Sequence, residues 1–137
     1  MQDRPTFDEL LAAVEYFLDT EIVPNVPGAR GFHGRVAANA IRIVRRELER
    51  EDEQLSEEWA GLDTLLGAAR QPQGRAAFRA ALRERNEALC RLIRGGEVAA
   101  SELSAQIQHH VRAVVREKLR ITDPELLARS GDTVVGP

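Results

Sequence analysis

Residues 32–48 read FHGRVAANAIRIVRREL. Projected at about 100° per residue, Phe32, Val36, Ala37, Ala40, Ile43 and Val44 gather on one side. Arg35, Arg42, Arg45 and Arg46 gather on the other. No strand-like alternation of period two runs through the segment, so it predicts an amphipathic helix from about Phe32 to about Glu51.

The same spacing recurs on both sides of this helix. Upstream, Thr6 and Glu9 form a capping-box pair in which each side chain satisfies a backbone N–H left open at a helix start. Phe7, Leu10, Leu11, Val14, Phe17, Leu18 and Ile22 follow as one apolar stripe, which Pro24 and Pro27-Gly28 end. Downstream, a third and shorter helix is expected after Ser56, carrying Trp59, Leu62, Leu65 and Leu66 and stopping near Gly67. Gln71-Pro72-Gln73-Gly74 marks a turn, and a fourth helix spans about Arg75 to Arg94 before a left-handed stop at Gly95-Gly96. A fifth runs from after Ser101 to about Leu119. Asp123-Pro124 reads as an N-cap followed by proline at the first helical position, opening a short last helix to Ala128. The expectation is an all-α fold: an antiparallel bundle of about five helices plus a short C-terminal helix, one domain over 1–129 with a flexible tail over 130–137.

Composition narrows the function classes. The chain has 137 residues, 43% of them hydrophobic and 30% charged, which suits one packed core and argues against wholesale disorder. Aromatics are only 4%, so the core must be built from Leu, Ile, Val and Ala. A formal charge of −3 argues against a nucleic-acid binder, since phosphate affinity needs clustered positive charge. The lone Cys90 precludes an internal disulfide, which is compatible with a reducing cytoplasm. The first apolar run is broken by Asp8, Glu9, Glu15 and Asp19, unlike a secretion signal, and no stretch is apolar for the roughly 18 residues a membrane span needs. There is no Gly-rich phosphate loop, nucleophile elbow or zincin pattern. No Glu precedes a His by three residues, and the adjacent His109 and His110 point about 100° apart, so no metal or other cofactor is expected.

Several polar residues fall on apolar arcs: Glu21 on the first helix, His33 and Glu47 on the second, Arg85 on the fourth, and His110 at the edge of the fifth helix's stripe. A buried isolated charge costs several kcal/mol, so such groups must pair or reach solvent. Arg85 with Glu47 or Glu21 is the pairing that balances. Snorkelling of both glutamates at their helix ends is the plainer alternative, and a polar pocket among Glu21, His33, Glu47 and Arg85 is another. His33, with Arg30 and Arg35 near a helix start, is either an anion site or a packed neutral histidine.

The 32–48 segment resembles the core motif of a bacterial family of small helical proteins of unknown function. Asp3-Arg4-Pro5-Thr6 with Glu9-Leu10-Leu11, Ile93-Arg94-Gly95, and Lys118-Leu119-Arg120-Ile121 are similar to further stretches of that family. Where family members tend to carry Asn-Pro followed by Lys/Arg-Tyr, this chain has Asp123-Pro124-Glu125-Leu126. The resemblance implies a protein encoded near aminoglycoside-phosphotransferase-like kinases and acyl-CoA dehydrogenases, and no established activity. The reading that follows is a cytoplasmic, non-enzymatic accessory protein binding a kinase-like or acyl-CoA dehydrogenase-associated partner. Its expected surface is Arg35, Asn39, Arg42 and Arg46. A small-molecule module or enzyme using the polar pocket, and a structural homodimer, are the alternatives.

Overall fold

The structure is a computed structural model, and it describes residues 4–96, 98 and 102–129. Among these no strand occurs, and five α-helices follow one another: α1 (Phe7–Phe17), α2 (Ala29–Leu66), α3 (Arg75–Arg94), α4 (Glu102–Thr122) and α5 (Pro124–Arg129). The all-α expectation holds. The expected tail at 130–137 lies outside the described residues.

The second and third helices expected from sequence are one helix of 38 residues. Ser56 was the anticipated N-cap, but its hydroxyl donates back to the Asp52 carbonyl at 2.9 Å, four residues earlier, inside a running helix. The acidic stretch Glu51-Asp52-Glu53-Gln54 contains neither Gly nor Pro, and Glu and Gln are good helix formers. Nothing local breaks the chain there.

The chain divides into two compact units, Met1–Arg50 and Glu51–Pro137. In the first, the capping box forms as the sequence implies: the Thr6 amide donates to Glu9 at 2.7 Å and the Glu9 amide to Thr6 Oγ1 at 3.2 Å. Beyond Phe17 the helix widens into a π-helical turn, Leu18–Ile22, closed by the Val23 amide on the Leu18 carbonyl at 2.9 Å. Pro24, with no N–H, cannot continue it. α1 then lies antiparallel to the first part of α2, as the pairing of Asp8 with Arg45 and Asp19 with Arg42 shows. Gly34 allows the two segments to close, since a Cβ there would come within 2.9 Å of the Ile22 side chain.

The second unit is built on Trp59, Leu62, Leu82, Leu89, Val98 and Ile107, all buried, with Leu55, Leu65, Phe78, Leu92 and Leu103 around them. Gln54 of α2 donates to the Glu117 carbonyl of α4, and Gly61 meets His110, so α2 and α4 run antiparallel. α3 departs from the up-down pattern. Arg75 pairs with Glu51 near one end and Arg85 with Asp63 near the other, so α3 runs in the same direction as α2. The connection 67–74 makes this feasible: at ~3.3 Å per residue it reaches roughly 26 Å, enough to return along the ~22 Å of helix between residues 51 and 66. At the end of α4, the Leu126 amide donates to Asp123 Oδ1 at 2.8 Å, the N-cap that opens α5.

Candidate functional site

The arginine surface expected on α2 is largely committed within its own unit. Arg42 donates to Glu15 at 2.8 Å and to Asp19. Arg45 holds Asp8 and Glu15 at 2.7 Å each. The hydrogen bond from Arg45 holds the Asp8 carboxyl below the usual carboxylate range. These guanidiniums clamp α1 to α2, so Arg42 is a structural residue before it is a binding one. Arg35 and Asn39 are exposed, as is His33, whose ring meets Phe32 edge-on at 5.8 Å. Arg46 and Glu47 are half-buried.

A more conspicuous feature of this unit is apolar. Phe7, Leu10, Val14 and Phe17 form one row along α1, at spacings of three and four residues, and every one is about half exposed or more. Along α2, Phe32 and Val36, then Val44 and Leu48, repeat the pattern, with Phe32 56% exposed. Ala38 is the buried apolar residue among the described residues of this unit. The periodicity that predicts these helices also marks these residues. It does not say that two helices leave them uncovered.

Arg85 is held within its own unit. Its partner there is Asp63, and it also donates to the Gly67 carbonyl at 2.7 Å and lies 4.5 Å above the Trp59 ring. With 12% of its side chain exposed and both terminal nitrogens engaged, it fastens α3 to the end of α2. Its hydrogen bond holds the Asp63 carboxyl below the usual range against the opposing effect of burial, helped by the Ala69 amide, the Arg85 charge and the Trp59 indole. Glu21 is exposed on the π-helical turn, where its carbonyl accepts from Asn25. Glu51 was not singled out in the sequence. It is 5% exposed and is held by Arg75 at 2.9 Å and by Arg79. Its partners lie more than twenty residues away, so no local pattern could have flagged it.

The second unit also holds a groove along the α2–α4 seam. One stretch, of about 540 Å³, is lined by Glu57, Gly61, Thr64 and Leu65 of α2 and by Glu102, Ala105, Gln106, His109, His110 and Ala113 of α4. A smaller hollow of about 80 Å³ continues it past Gln54, Glu58, Val114, Glu117 and Lys118. His110 lines both. It is 9% exposed, and its side chain makes no hydrogen bond to another described residue. A Cβ on Gly61 would overlap the imidazole, so the glycine provides the room the ring occupies. Burial pushes the His110 pKa down and the neighbouring His109 adds to this, while Glu58 opposes it. The result favours a neutral imidazole, which can both donate and accept. The sequence places His110 at the edge of an apolar stripe; the glycine that receives it, about a third of the chain away, is what fixes its environment.

No group of three or more His, Cys, Asp or Glu side chains among the described residues could hold a metal ion, and none of their helices is long and apolar enough to cross a membrane. Cys90 is exposed. Fold and site together define a small all-helical protein with exposed apolar rows and a polar groove. The chain belongs to the family described as Domain of unknown function (DUF6285), whose model matches residues 24–126. No curated protein and no solved structure matches it.

Proposed function

We propose that this protein is a non-enzymatic, cytoplasmic accessory protein that docks a phosphotransferase-like kinase through the exposed apolar rows of α1 and the first part of α2. The observation that carries this is the half-exposure of Phe7, Leu10, Val14 and Phe17 together with Phe32, Val36, Val44 and Leu48. Monomeric proteins rarely leave large apolar patches in water, and rows of this kind mark interaction surfaces. The choice of partner rests on the resemblance to proteins encoded beside such kinases. The arginines contribute at the margin, through exposed Arg35 with Asn39, since Arg42 and Arg45 hold the hairpin itself.

The test is co-expression with the neighbouring kinase and recovery of the complex, using a Leu10→Glu, Val36→Glu double variant. Both positions are about half exposed, so the variant is expected to keep its helical circular dichroism and lose the complex. An undiminished complex would sink the reading. So would sedimentation showing that the same rows close a homodimer which excludes the kinase.

A further inference from the structure

The α2–α4 groove belongs to the second unit, and its chemistry differs from that of the apolar rows proposed for docking. Its polar walls carry Glu57 and Glu102, neither engaged in an ion pair or hydrogen bond with a described residue. Leu65, Ala105 and Ala113 add apolar lining. His110, 9% exposed, lines both stretches of the groove and makes no hydrogen bond with another described residue. Its ring nitrogens are not sealed from water, so a lone pair on the ring is open to a donor in the groove. What suits a neutral imidazole lone pair flanked by free carboxylates is a cationic N–H donor. Divalent metal is a poor fit, because no three candidate ligands among the described residues converge.

We propose that this groove binds a linear aliphatic di- or triamine. One ammonium donates to His110 and Glu57, a second to Glu102, and the methylene chain lies on Leu65 and Ala113. Eight positions of α4 separate Glu102 from His110, a rise of about 12 Å at ~1.5 Å per residue, comparable with the extended length of a triamine. The volume of about 540 Å³ falls within the ~300–1,000 Å³ typical of small-molecule sites.

The experiment is titration calorimetry of the full chain with spermidine, in the presence and absence of magnesium chloride. The expected result is saturable binding of one spermidine per chain that survives magnesium. The Glu57→Gln, Glu102→Gln double variant, altered only at solvent-facing carboxylates, should bind roughly tenfold or more weakly, the equivalent of a lost charge-assisted hydrogen bond. His110→Leu should weaken binding to a similar degree while retaining the wild-type helical spectrum. The proposal is overturned by the absence of saturable heat, by variants that bind like the parent, or by magnesium abolishing the signal, which would mark a counterion effect alone.

Discussion

At the scale of single residues, His110 and Gly61 show how a side chain acquires its character from a partner far along the chain. Because burial lowers the folded-state pKa of His110 below its ordinary 6.5, the unfolded chain takes up a proton first as pH falls. Stability contributed by the neutral ring is therefore complete above about 6.5 and is lost as pH drops from there towards the lowered folded value. The charged groups facing the ring decide how steep this is: Glu58 on α2 softens the loss, and His109 on α4 sharpens it. Urea unfolding at pH values from 7.5 down to 5 should show a decline that His110→Leu flattens. Parallel slopes for variant and parent would mean that the burial has no energetic consequence. The lowered carboxyl of Asp63 acts in a separate window: it favours the fold above the ordinary carboxylate range and is lost in stronger acid.

At the scale of elements, the unbroken α2 is the main departure from the sequence expectation, and it is open to a sharp test. If Ser56 were an N-cap, Ser56→Ala would cost about 1 kcal/mol and proline at position 57, the first helical position, would be tolerated. In a continuous helix the opposite holds. Ser56→Ala should change unfolding free energy by less than about 0.5 kcal/mol, and Glu57→Pro should cost about 3 kcal/mol or more. A run of acidic residues followed by Ser looks like a loop and a cap. Yet the continuation is supported by contacts the local sequence does not contain: Glu51 held by Arg75 and Arg79, and Gln54 reaching the Glu117 carbonyl. Where termini are decided locally, as at Thr6-Glu9 and Asp123-Pro124, the sequence reading and the structure agree.

At the scale of the whole molecule, the distribution of buried apolar residues is uneven. Trp59, Leu62, Leu82, Leu89, Val98, Ile107 and Ile121 all belong to the second unit, and Ala38 stands for the first among the described residues. Hydrophobic burial is the dominant favourable term in folding, and a two-helix hairpin with its rows exposed has little of it. A fragment of residues 51–129 should accordingly keep a helical spectrum and a cooperative thermal transition. Residues 1–50 alone should melt without cooperativity in dilute solution. A cooperative, concentration-independent transition for the short fragment would refute this account of where the stability resides.

The sequence by itself determined the all-helical class, the stripe on each helix, the local caps at Thr6 and Asp123, and the glycine-rich stop at residues 95–96, where Gly96 takes a φ of 77°. Each of these depends on residues within a turn or two of one another, so one-dimensional spacing is enough to read them. Only the tertiary structure decided that α2 runs unbroken through Ser56, that α3 travels alongside α2 in the same direction, that Arg85 serves Asp63, and that His110 lies against Gly61. These are choices among partners tens of residues apart, and many such pairings satisfy the same pattern of apolar and charged positions. Which one wins is settled by packing and by the pairing of buried charge across helices, and neither is written in any local stretch of the chain.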